Sequence, residues 1–94
     1  MEHGVSLLEE NLILIGNKNM ENLNFLERFD GKKVSILIKG FRKNESYVGE
    51  LIYLGEDIMG LSFELYQIKK FPIRYIFIDK EALISIWIYK KSTL

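Results

Sequence analysis

Leu83-Ile84-Ser85-Ile86-Trp87-Ile88-Tyr89 is the stretch on which the fold turns. Two-residue alternation puts Ile84, Ile86 and Ile88 on one face of a strand and Leu83, Trp87 and Tyr89 on the other. Both faces are apolar. Such a strand at a free sheet edge is a template for aggregation, so something must cover it. Only a short polar tail follows it here. The strand therefore lies inside the sheet or pairs with a neighbouring subunit, and the second arrangement is expected.

Working outward, the same two-residue period recurs four times upstream. Residues 34–39 (Val34-Ser35-Ile36-Leu37-Ile38-Lys39), 47–54, 58–66 and 73–78 read as strands. Polar turns at 40–46, 55–57 and 79–81 separate them, with a loop at 67–72 that ends in the only proline, Pro72. Gly49 inside the second of these strands marks a bulge or sharp bend. Ahead of the first, Leu23, Leu26 and Phe29 recur at a spacing of three. Asn22 or Asn24 can cap a helix there, and Glu27 follows Asn24 at the capping-box interval. Asp30-Gly31 then stops it at a residue that tolerates a left-handed turn. These signals predict a mainly β, small α+β fold, with an N-terminal helix followed by a strongly bent five-stranded antiparallel sheet or small barrel.

Residues 1–19 read as an extension, residues 20–90 as the domain and residues 91–94 as a tail. The extension carries an apolar cluster (Val5, Leu7, Leu8, Leu12, Ile13, Leu14, Ile15) and ends in the turn-like Gly16-Asn17-Lys18-Asn19. Three forms are open to it: a flexible terminus, a short helix over 6–11, or an added strand through 12–15. The apolar run at 12–15 is too short for a signal-peptide core or a membrane span, so a cytoplasmic protein with no membrane contact is expected.

Composition narrows the chemistry. The chain has 94 residues, 48% of them hydrophobic, which suits one small domain and excludes intrinsic disorder. With no cysteine, neither a disulfide nor a thiolate metal site can widen its thin stability margin, which leaves oligomerisation as the common remaining route. Thirteen basic and thirteen acidic residues cancel, which rules out a grip on nucleic acid by bulk charge. The cancellation is uneven. Residues 1–30 hold six acids and two bases, a net of −4, so the remainder carries +4.

Three stretches carry a family resemblance. Asn24-Phe25-Leu26-Glu27-Arg28-Phe29 precedes Gly31-Lys32-Lys33-Val34. Tyr47-Val48-Gly49-Glu50-Leu51 is followed by Asp57-Ile58-Met59-Gly60-Leu61. Phe77-Ile78-Asp79-Lys80-Glu81-Ala82 leads into the last strand. In this order, over about two-thirds of the chain, they resemble the Sm/Lsm/Hfq superfamily. Lys80 and Ala82 match the Hfq form of the second motif, while Asp79 and Glu81 replace its Tyr and His. The resemblance implies an Sm-like, SH3-like barrel assembled as a homo-oligomeric hexamer or heptamer ring. Such a ring closes by pairing the fourth strand of one protomer with the fifth of the next, through Ile73, Tyr75, Phe77, Ile84, Ile86, Trp87 and Ile88.

It also implies RNA binding or an RNA-chaperone role at a pore-side site. There Asp57 orders the turn, Ile58 or Met59 occupies the position of the stacking side chain, and Lys80 meets phosphate. Such a pocket needs a flat π surface, a hydrogen-bonding pair and a positive charge. The Asn position of the family falls on Gly60 or Leu61, so this chain lacks the amide as well as the aromatic. A further basic surface is expected from Lys32, Lys33, Arg42, Lys43, Lys69 and Lys70, together with Lys39 and Arg74, with Phe41, Tyr47, Tyr66 and Phe71 as neighbouring aromatics. The rival readings are a protein-interaction ring that has lost the uridine pocket and docks partners through residues 1–19, and a monomeric SH3-like binding module. An enzyme is not expected. His3 is the only histidine, and no phosphate loop, nucleophile elbow or metal-ligand spacing occurs, so no cofactor and no metal are expected.

Overall fold

The computed structural model describes residues 11–63 and 74–90. Six strands form a single open antiparallel sheet: β1 (Leu12–Asn17), β2 (Lys33–Ile38), β3 (Glu45–Tyr53), β4 (Ile58–Ser62), β5 (Tyr75–Asp79) and β6 (Leu83–Tyr89). Their order across the sheet is β1-β6-β2-β3-β4-β5, so β1 and β5 are the two edges.

This corrects the expected fold: the sheet is open, with β1 and β5 not paired to each other, where an Sm-like or SH3-like barrel was expected, and two elements also differ. The sheet has six strands where five were expected, because residues 12–17 of the extension take the strand form. The N-terminal helix is absent among the described residues, and Asn24–Phe29 is a six-residue 3-10 turn. The interval between Leu23, Leu26 and Phe29 is three residues, which is the repeat of a 3-10 helix and falls short of the 3.6 of an α-helix. No side chain caps its first turn. Asn22 instead accepts a hydrogen bond from Asn24 N at 2.9 Å, a local turn that competes with helix initiation. Gly31 does adopt the left-handed conformation, at φ 82°.

The added strand also settles how β6 is covered. It lies between β1 and β2, with Ile13 opposite Ile88 and Leu14 opposite Trp87 on one side, and Val34 opposite Ile88 and Ile36 opposite Ile86 on the other. A strand in the interior of a sheet can be apolar on both faces without exposing unpaired backbone.

The sheet curls around a core of Leu23, Leu26, Val34, Ile36, Leu51, Met59, Leu61, Phe63, Ile78, Leu83 and Ile86. Along β2 the buried Val34 and Ile36 alternate with less buried neighbours, the period-two pattern in physical form, whereas in β6 the buried Leu83 and Ile86 stand three apart across the irregular register between Leu37 and Ile38. Gly49 sits where β3 is crowded by β4. A Cβ built there would lie 2.5 Å from the Ser62 carbonyl oxygen, so only glycine allows this close approach; the register there is regular, with no bulge. The 3-10 turn closes one end of the core. Leu23 N donates to Glu56 O at 2.9 Å, and Asp30 Oδ1 accepts from Tyr53 N at 2.7 Å. Tyr53 Oη donates to Asn24 Oδ1 at 2.9 Å.

Candidate nucleic-acid interface

The connection from β5 to β6 sets the centre of the site. Asp79 caps a three-residue 3-10 turn, Lys80–Ala82, by accepting a hydrogen bond from Glu81 N at 2.8 Å. That turn fixes Lys80 against the loop before β4. Its backbone N–H donates to Asp57 O at 2.9 Å, its Nζ lies 3.3 Å from Asp57 Oδ1, and the same Nζ donates to Glu21 O at 2.9 Å. The Asp57–Lys80 contact is the one ion pair among the described residues. Both partners are partly exposed, so its worth is roughly 0–1 kcal/mol, and it serves to aim the lysine more than to hold the fold.

Two further lysines converge on the same place. The turn after β1 is pinned by Asn17, which accepts from Asn19 N at 2.9 Å and from Met20 N at 3.1 Å, and it carries Lys18. The chain leaving β2 is pinned by Lys39 N, which donates to Ala82 O at 2.9 Å. A pocket of about 240 Å³ results, lined by Lys18, Asn19, Met20, Lys39, Lys80, Glu81 and Leu83. Three lysines from three separate segments line it, with Glu81 as the one acidic lining residue. From Lys39 the chain runs directly into the β2–β3 turn, where Phe41 is 98% exposed and Arg42 and Lys43 follow it on the surface. This end of the sheet thus presents a lysine-lined hollow, and two residues beyond Lys39 in the chain come a bare aromatic ring and two more cations.

The expected site residues are dispersed differently from their order in the sequence. Asp57 and Lys80 are brought together. Ile58 and Met59 are split by the alternation of β4: Ile58 is 40% exposed on the outer face, and Met59 is fully buried in the core, where no ligand reaches it. Lys32 and Lys33 lie at the start of β2, Arg42 and Lys43 beyond its other end, so one six-residue strand separates the two pairs. At the far end, a hollow of about 220 Å³ is lined by Asp30, Lys32, Lys33 and Tyr89, and Lys33 Nζ sits 4.9 Å above the Tyr89 ring. Asp30 and the register partner Glu50 offset the charge there. Lys69, Lys70, Tyr66, Phe71, Ile73 and His3 lie outside the described residues.

Tyr47 is unsuited to stacking. Its hydroxyl donates to Glu45 Oε1 at 2.7 Å, and its ring centroid is 5.9 Å from that of Phe63. That hydrogen bond, with burial and the negative charge of Glu45, raises the Tyr47 phenol above its usual range. Among the residues expected to join subunits, Ile86 and its neighbours in β6 are paired within the chain, while Tyr75 and Phe77 are 55% and 66% exposed on β5.

Lys18 was not legible as a site residue, because its place depends on β1 docking beside β6. The strand form of residues 12–15 was the available signal: once that strand lies against residues 83–89, its following turn comes to the Lys80 end of the sheet. Among the described residues, no group of three or more His, Asp or Glu side chains could hold a metal ion, and no helix is long and apolar enough to cross a membrane. Compared with protein-family models, curated proteins and solved structures, the chain matches none of them.

Proposed function

We propose that the protein binds single-stranded RNA at the end of the sheet that carries Lys18, Lys39 and Lys80. The observation that carries this reading is the convergence of those three lysines on one pocket, with the exposed Phe41 two residues beyond Lys39 in the chain. Single-strand binders pair a basic groove that tracks phosphates with aromatic faces on which bases stack. Here the pocket is the phosphate seat and Phe41 the stacking platform, with Arg42 and Lys43 extending the path of the backbone.

The resemblance to Sm-like RNA-binding proteins enters at the same place. Lys80 lines this pocket and Asp57 lies 3.3 Å from its ammonium; both residues match the family pattern. In this reading the base contact is moved. The family's stacking position maps here to Ile58 or Met59, neither of them aromatic, and Phe41 takes over that role from the neighbouring turn. Zero net charge is compatible with such a site, because the positive groups are local to one end.

Fluorescence anisotropy with labelled U-rich and A-rich oligonucleotides at low salt tests the proposal. Binding should weaken as salt rises, with a log–log slope of about −0.7 for each phosphate contacted. Substituting Lys18, Lys39 and Lys80 together by alanine should flatten that slope, whereas Lys32→Ala and Lys33→Ala at the other end should leave it unchanged. No binding at low salt would overturn the proposal.

A further inference from the structure

The two edges of the sheet are not equivalent. β1 carries a bulge between Leu14 and Gly16 and runs into Asn17-Lys18-Asn19, two devices that blunt an edge against further pairing. β5 has neither. Its register against β4 is regular from Ser62–Tyr75 to Ile58–Asp79, and Tyr75-Ile76-Phe77-Ile78-Asp79 contains no lysine, proline or glycine.

The backbone groups on that edge can be assigned. Phe63 N donates to Arg74 O at 2.8 Å and Lys80 N donates to Asp57 O at 2.9 Å, so residues 74 and 80 face β4. Alternation in an antiparallel ladder makes residues 76 and 78 face β4 as well. The N–H and C=O groups of Tyr75, Phe77 and Asp79 therefore point outward, away from every described strand.

We infer that β5 pairs with β5 of a second copy, antiparallel, about a two-fold axis at Phe77. The sequence of the strand is what favours a second copy over another partner. With Phe77 opposite itself, Tyr75 falls opposite the partner's Asp79 and Asp79 opposite the partner's Tyr75, so every outward backbone group of the three residues meets its complement. On the outer face the two Phe77 rings adjoin, flanked on each side by a tyrosine hydroxyl and a carboxylate, a favourable cross-strand combination with no like charges opposed. On the inner face Ile76 meets the partner's Ile78, which extends the apolar surface of one core toward the other. At the ends of the strand Arg74 stands opposite the partner's Lys80, the one like-charged pair of this register, and the Asp57 carboxylate 3.3 Å from the Lys80 ammonium offsets it. The interface is isologous, as two-fold dimers require. It also leaves β1 docked on β6, whereas a ring closed through β6 would require β1 to leave.

Sedimentation velocity on the full chain without RNA tests this, together with Phe77→Lys and Tyr75→Lys. Both positions are exposed, and neither side chain is in the core. The expected result is a species of twice the 11.1 kDa chain mass at micromolar concentration. Each lysine variant should raise the dimer dissociation constant by at least about a hundredfold and leave the far-ultraviolet circular dichroism unchanged. A wild-type monomer at every concentration would overturn the inference. So would a six- or sevenfold mass, or a dimer that survives both substitutions.

Discussion

β1 and β5 bound the same sheet, yet they meet the edge problem in opposite ways. β1 is itself the cover. It arrives from the N-terminal side, lies along the most apolar strand of the chain and then turns away through a bulge and a polar turn. β5 is uncovered among the described residues and shows two aromatic side chains on its outer face. The contrast teaches that the apolar character of a strand does not say where in the sheet it lies. β6 can be apolar on both faces because β1 and β2 pair its backbone on either side, and β5, at the edge, sets the buried Ile78 between the exposed Phe77 and Asp79.

Breaking the protected side should cost most. Ile86 is fully buried and is flanked by both β1 and β2, so Ile86→Ala should destabilise the fold by about 2–5 kcal/mol in urea unfolding. Gly16→Val attacks the same side through the cover. A Cβ at Gly16 would lie 2.6 Å from both Met20 Sδ and Phe25 Cζ, so β1 must shift to accept it, at a cost of roughly 1–3 kcal/mol. Because that shift also displaces the turn bearing Lys18, RNA affinity should fall with stability in this variant.

The open side should respond differently. Phe77→Lys should change the unfolding free energy of the monomer by no more than about 0.5 kcal/mol, since the side chain is surface-exposed, while abolishing association. Phe41→Ala sharpens the comparison further. It touches neither edge, so stability and association should be unchanged, and RNA affinity should fall by about 5- to 150-fold, the equivalent of ~1–3 kcal/mol of base stacking. Anisotropy titration beside urea unfolding of the same samples separates the two effects.

Much of this was legible in the residues. The alternation over 34–39, 47–54 and 83–89 marks strands that the structure contains, and Gly49 lies where β4 comes too close for any side chain. What misled was the interval of three between Leu23, Leu26 and Phe29, which fits a 3-10 turn as well as the start of an α-helix over so short a span. β1 was one of three forms open to residues 1–19, because a four-residue apolar run has no period of its own and takes its conformation from the strand it meets. The lysine pocket was hidden for the same reason. Lys18, Lys39 and Lys80 are far apart in sequence, and only the docking of β1 on β6 and the return of β2 beside Ala82 bring them to one hollow.

Amide hydrogen exchange at two protein concentrations measures both edges at once. Lys90 N donates to Asn11 O at 2.7 Å, so alternation turns the Ile88 amide toward β1, and Ile86 faces Gly16 across the bulge. The account predicts that the Ile86 and Ile88 amides are protected at both concentrations, and that the outward amides of Tyr75, Phe77 and Asp79 exchange freely when dilute and slow at the higher concentration. Rapid exchange at Ile86 and Ile88, or protection of Phe77 that is independent of concentration, would contradict it.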